Sequence, residues 1–163
     1  MIRPMQASDI PRVAEIRVFG WRYAYRGIIS DEHLFNELLV TKQIARLEEQ
    51  RHSYERNRYV YDDGIIKAFL AAGPCGDDDK PEAFELGALY VEPCLQGGGI
   101  GTALAVFCEQ VAGKRNYGEI CLWTFEKNTP ARTFYEKLGY TPDGTIKIVE
   151  PYGVAGVRYC KKL

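Results

Sequence analysis

Val91-Glu92-Pro93-Cys94-Leu95-Gln96-Gly97-Gly98-Gly99-Ile100-Gly101-Thr102 is the stretch on which the reading of this chain turns. The apolar run Leu86 to Val91 before it reads as a strand and stops at Pro93. After the glycines, Ile100, Leu104, Phe107 and Val111 recur at helical spacing. A strand, a glycine turn and a helix start aim several backbone N–H groups at one point. The first N–H groups of a helix lack internal acceptors, and the helix dipole adds partial positive charge there. Glycine lets the main chain approach a bulky anion and adopt φ > 0. The stretch therefore predicts a cradle for a phosphate or pyrophosphate.

Two better-known phosphate loops do not fit. A Walker-type loop needs G-x-x-x-x-G-K-[ST], and both the glycine spacing and the lysine are missing. A Rossmann G-x-G-x-x-G ends on Thr102 when started at Gly97 and on Leu104 when started at Gly99. Glu119 stands where an acidic ribose ligand would lie, but the third glycine is absent. The pattern that does fit is Q-x-x-G-x-G, as Gln96-Gly97-Gly98-Gly99-Ile100-Gly101.

Composition narrows the function classes. At 163 residues, 46% apolar and 26% charged, residues 1–163 are expected to form one soluble globular domain. A formal net charge of −1 gives no bulk electrostatic reason to expect nucleic acid or membrane as partner. Met1-Ile2-Arg3-Pro4 lacks the apolar core of a signal peptide, and no run is long enough to span a bilayer. The five cysteines (Cys75, Cys94, Cys108, Cys121, Cys160) include no C-x-x-C pair. That pattern argues for free thiols in a reducing cytoplasm and for no bound metal. Cys94, beside the loop, has no sequence-adjacent base and reads as a buried thiol.

Outward from the loop, Ile2 to Pro4 opens with a short strand. Ser8 or Asp9 then caps a helix from Ile10 to Tyr25, closed by Gly27. Ser30 or Asp31 caps a short segment, and Thr41 to Asn57 reads as a polar helix with Ile44, Leu47 and Tyr54 inward. Arg51, Arg56 and Arg58 alternate with Glu48, Glu49 and Glu55, the pattern of a solvated face rather than a nucleic-acid patch. Tyr59 to Tyr61 and Ile65 to Ala71 form a hairpin about Asp62-Asp63-Gly64. Gly73 to Pro81 reads as an exposed loop whose Asp77-Asp78-Asp79 usually means simple solubility, though it mildly favours a cationic amine as partner. Strands are expected at Phe84–Val91, Ile120–Phe125, Thr145–Val149 and Val157–Lys161, with a last helix from Pro130 to Leu138 capped by Thr129 or Asn128. The order β-α-α-β-β-β-α-β-α-β-β predicts an α/β fold, a mixed, mostly antiparallel central sheet flanked by helices on both faces.

Three stretches, in order, resemble the GNAT superfamily, the GCN5-related N-acetyltransferases. The first is Gly87-Ala88-Leu89-Tyr90-Val91 with Pro93 and Gln96 to Thr102. The second is Asn128-Thr129-Pro130 followed by Phe134-Tyr135-Glu136-Lys137-Leu138-Gly139-Tyr140. The third is Ile2-Arg3-Pro4, Asp9, Trp21-Arg22 and Tyr25-Arg26-Gly27. The resemblance implies acetyl transfer from acetyl-CoA to the primary amine of a small molecule or peptide, with no metal. It implies that a bulge in the strand presents Leu89, Tyr90 and Val91 to the pantetheine arm. It also implies that Gln96, Gly97, Gly98, Gly99, Ile100, Gly101 and Thr102 hold the pyrophosphate, and that Asn128 contacts pantetheine.

Tyr135 is then the candidate acid for the leaving thiolate, with a packed helix tyrosine as the bland alternative. Glu85, at the start of the motif strand, is the candidate base, while Glu92 borders the loop and reads as solvated. Trp21, Tyr25 and Tyr152 are candidates to line the acceptor pocket. A homodimer is a further expectation from the family. The alternative function is a non-catalytic acyl-CoA sensor or interaction module of the same fold.

Overall fold

The computed structural model describes residues 1–50 and 57–163. Seven strands form one open sheet in the order β1-β2-β3-β4-β5-β7-β6. They are β1 Ile2–Pro4, β2 Asn57–Asp62, β3 Ile66–Pro74, β4 Phe84–Val91, β5 Glu119–Phe125, β6 Thr141–Val149 and β7 Val154–Lys162. The helices are α1 Ile10–Tyr25, α2 Val40–Glu49, α3 Ile100–Lys114 and α4 Thr129–Lys137. Every strand pair is antiparallel except β4 with β5.

Alternation along β3 sorts the two faces. Ala68, Leu70 and Ala72 turn toward Leu104, Ala105 and Cys108 of α3 and Tyr135 of α4. Phe69 turns the other way, with Val60, toward Ile10, Val13, Ala14 and Ile16 of α1 and Leu47 of α2. A strand buried on both faces reads as the near-continuous apolar run seen here. α1 and α2 thus cover one face, and α3 and α4 the other.

Several local expectations hold and several change. α1 runs from Ile10 to Tyr25 with Asp9 at the N-cap position, but Asp9 makes no side-chain cap bond to it. Its carboxylate instead accepts from Arg3 Nη1 at 2.7 Å and from the Gln6 amide at 2.7 Å, and Arg3 also reaches Asp62 at 2.8 Å. The first strand, the first helix and the β2–β3 turn are tied together by that cluster. Glu32 holds the N-cap position of the short π-helical turn His33–Glu37, and the Ser30 hydroxyl just before it accepts from the His33 amide at 3.2 Å.

The helix expected from Thr41 to Asn57 is α2, ending at Glu49, and Asn57 already belongs to β2. Ile44 and Leu47 do face inward; Arg51, His52, Tyr54, Glu55 and Arg56 lie outside the described residues. Arg58 is in β2 and donates to the Gln50 side chain at 3.0 Å.

The largest correction concerns the aspartate loop. Asp77 and Asp79 converge with Asp143 on Arg158, whose side chain is 2% exposed, at 3.1, 2.5 and 2.7 Å. Trp123 Nε1 adds a bond to Asp77 at 2.8 Å. A buried guanidinium needs such partners. The charge of Asp77 and Asp79 is spent on fastening the loop to β7, so it offers no open bait for a cation.

Candidate active site

β4 and β5 run side by side only at Phe84–Ile120 and Glu85–Cys121, and beyond that point they part. The register of β3 with β4 jumps from Ala71–Ala88 to Ala72–Leu86, so Gly87 is the extra residue of a bulge. From Gly87 to Val91 the edge of β4 facing β5 has no strand partner, and its polar backbone groups open onto a cleft. The cavity there has a volume of about 620 Å³. Leu86 to Val91 form one wall, Trp123 and Thr124 of β5 the opposite wall, and Gln96, Gly97 and Gly99 to Thr102 one end, with Gly98 of the same loop off the wall.

The glycine loop has the geometry of an anion cradle. Gly97 and Gly99 have φ of +84° and +82°, and a Cβ at either position would meet no protein atom within 4 Å. The first hydrogen bond entering α3 runs from the Ala103 amide to Gly99 O at 3.0 Å. The N–H groups of Ile100, Gly101 and Thr102 are therefore left at the open helix end with no helical acceptor. The Gln96 side chain reaches back to Val91 O at 3.5 Å, joining loop to strand. A glycine-lined cradle of N–H donors fits a pyrophosphate, and the unpaired strand edge fits an amide-bearing arm.

α4 supplies the rest of that side. Asn128, buried, caps it by accepting from the Ala131 amide at 3.3 Å and also lines the cavity. Pro130, Ala131 and Phe134 line it too. Tyr135 is 8% exposed and on the cavity wall. Burial, with smaller contributions from Tyr90 and Cys108, raises its pKa, so the phenol stays protonated at neutral pH.

The α1 side is aromatic. Gly20, Tyr23, Ala24 and Tyr25 line the cavity. The Tyr25 and Tyr90 hydroxyls meet at 3.0 Å, and burial raises both pKa values. Gly20 is required by this contact, since a Cβ there would stand 2.8 Å from Tyr90 Cδ1. Trp21 and Tyr152 are not on the cavity wall, but Trp21 packs edge-on against Tyr25 at 5.0 Å and Tyr152 at 5.7 Å.

The remaining expected residues divide. Glu85 is buried at the apex where β4 and β5 part, beside Cys121, and is not on the cavity wall. Glu92 is not simply solvated, for it pairs with Arg12 at 2.6 Å. Cys94 is exposed rather than buried. Glu119 pairs with Lys80 at 2.7 Å. Trp123 and Thr124 carry no local motif; they could have been found only by pairing β5 with β4. No helix among the described residues is long and apolar enough to cross a membrane.

Comparison with known proteins bears on the whole arrangement. A profile described as "Acetyltransferase (GNAT) family" matches residues 14–140. A "probable N-acetyltransferase" of Mycobacterium tuberculosis is 29% identical over 147 residues, spanning 88% of this chain and 80% of that protein. A spermidine N(1)-acetyltransferase of Thermoplasma acidophilum is 24% identical over 147 residues, spanning 88% and 89%. The crystal structure of the PaiA N-acetyltransferase of Thermoplasma acidophilum in complex with coenzyme A shares the fold, with a TM-score of 0.75 and 19% identity over 100% of this chain and 98% of that one.

Proposed function

Because the chain belongs to the acetyltransferase (GNAT) family, we propose that it moves an acetyl group from acetyl-CoA directly to a primary amine, and that residues 1–163 act as one catalytic domain. The observation that carries this reading is the cleft itself. An unpaired, bulged strand edge lies between an open helix N-terminus and a buried, protonated tyrosine.

Acetyl-CoA supplies an activated thioester. Gln96, Gly97, Gly98, Gly99, Ile100, Gly101 and Thr102 hold the pyrophosphate, chiefly through main-chain N–H groups at the start of α3. Asn128 and the edge of Leu89, Tyr90 and Val91 hold the arm. A main-chain N–H of that edge receives the negative charge that develops on the carbonyl oxygen as the amine nitrogen attacks.

The new C–N bond forms as the C–S bond breaks, and Tyr135 donates its proton to the departing sulfur. The surplus ammonium proton leaves toward Glu85 through water, because Glu85 lies at the cleft apex and not on its wall. The acceptor enters from the α1 side, with Tyr25 on the cavity wall and Trp21 and Tyr152 behind it. The site works in a reducing compartment such as the cytoplasm, where its thiols stay free; Cys108, raised to about 12 by burial, is inert as a nucleophile.

Titration calorimetry with acetyl-CoA, followed by thiol release with an amine panel, tests this reading. Saturable binding and amine-dependent thiol release are expected. Tight binding with no thiol released would favour an acyl-CoA sensor, and no binding at millimolar ligand would remove the transferase altogether.

A further inference from the structure

Among the described residues, the arginines other than Arg17 with buried or half-buried side chains have partners. Arg3 has Asp9 and Asp62, Arg12 has Glu15 and Glu92, Arg22 has the Leu34 and Leu38 carbonyls, and Arg158 has three aspartates. Arg17 departs from that pattern. Its Nε is buried with no hydrogen-bond partner, and among the described residues no carboxylate pairs with its guanidinium. It lies over the Trp21 ring, 5.5 Å from the centroid.

The surroundings of Arg17 make that solitude informative. Burial pulls its pKa down, and the groups that feel its charge are Tyr90, Arg46, Tyr25 and Tyr152. Three of those are neutral phenols and the fourth is a second cation. Tyr25 and Tyr90 also form the α1-side wall of the cleft. A guanidinium withdrawn from water without an anion is costly, and the cost is removed when a ligand brings one. The planar fork suits a carboxylate, and Arg17, not itself on the cavity wall, adjoins it through Tyr25 and Tyr90.

We propose that Arg17 anchors a carboxylate carried by the acceptor, so that amino-acid-like amines are preferred over polyamines. This rests on the acetyltransferase reading and specifies the acceptor for that same site. It sets the chain apart from the relative named for spermidine. A polycation would meet Arg17 and Arg46 on the acceptor side, while Asp77 and Asp79 are already engaged by Arg158.

The test compares amino acids with their decarboxylated amines as acceptors: phenylalanine with phenethylamine, tyrosine with tyramine, lysine with cadaverine, and spermidine beside them. Thiol release gives kcat and KM for each. The carboxylate-bearing member of a pair is expected to have a KM lower by about 10- to 100-fold, the worth of a hydrogen bond to a charged group. Arg17→Gln should bring that ratio close to one, Arg17→Lys should retain part of it, and both should bind acetyl-CoA as the parent does. Calorimetry on the CoA-saturated protein should show N-acetylphenylalanine binding more tightly than N-acetylphenylalanine amide, with the difference lost in Arg17→Gln.

Equal or better turnover of the carboxylate-free amines would overturn the proposal. An undiminished preference in Arg17→Gln would do the same, as would acetyl-CoA binding with no turnover of any amino acid. Failure to bind acetyl-CoA is a different result, and it would overturn the transferase reading itself.

Discussion

In the proposed transferase the donor side of the cleft works through backbone: the bulged edge of β4, the N–H groups at the start of α3 and the cap of α4. On the acceptor side it is carried by side chains. Trp21 and Tyr25 come from α1, Tyr90 from β4 and Tyr152 from the turn after β6; Trp21 meets Tyr25 and Tyr152 edge-on, and Tyr90 joins through its hydroxyl to Tyr25. Backbone groups are set by local conformation, so a few glycines at fixed spacing suffice to build the donor side. The acceptor side exists only once distant segments pack, and single side chains there can change what is bound.

Substitutions should separate the two sides, and a variant in neither region sets the scale. Arg158→Met removes the buried cation shared by Asp77, Asp79 and Asp143, leaving only the more distant Lys147 beside Asp77, and it should cost about 3 kcal/mol in denaturant unfolding. The folded fraction should keep both substrate affinities. Burial opposes ionisation of Asp143, but the Thr145 amide and Arg158 outweigh it and hold its pKa at about 2. A carboxyl depressed on folding stabilises the protein above its unfolded value. The parent should therefore lose stability as pH falls from about 4 through 2, and Arg158→Met should lose less over that window.

Gly99→Val acts on the donor side alone. A β-branched residue at φ +82° is strained, and its side chain would enter the space left for the anion. Acetyl-CoA affinity should fall by about 10- to 100-fold, by calorimetry, with acceptor KM little changed. Gly20→Ala acts on the acceptor side, where the new Cβ would push Tyr90 away from the Tyr25 hydroxyl. Acceptor KM should rise by about 3- to 10-fold at unchanged acetyl-CoA affinity, the worth of one neutral hydrogen bond. If each variant altered both affinities equally, the division between backbone and side-chain walls would not hold.

The same division explains what could be read from the chain. Gln96 to Thr102, Asn128-Thr129-Pro130 and Tyr135 were legible because their structural consequences are local: a turn, a cap, one face of a helix. β4 and α1 were legible to their end residues because period and punctuation agree. Asp77 and Asp79 read only as an exposed acidic loop because their partner, Arg158, lies about eighty residues away and no spacing rule links them. Arg17 gave no signal at all, since one arginine in an amphipathic helix reads as a solvated face until its surroundings are known. The helix begun at Thr41 was carried too far because its polar pattern contains no glycine or proline to stop it at Glu49.

The central claim is that Tyr135 delivers the proton to the departing thiolate inside a cleft that holds acetyl-CoA by backbone. Tyr135→Phe, followed by kcat from thiol release and by acetyl-CoA affinity from calorimetry, tests it most directly. The account predicts a kcat lower by about 100-fold, the usual worth of a positioned acid, with acetyl-CoA affinity unchanged. Because burial raises the Tyr135 pKa, parental kcat should not decline as pH rises toward the ordinary tyrosine value of about 10. A kcat unchanged in Tyr135→Phe would contradict the account.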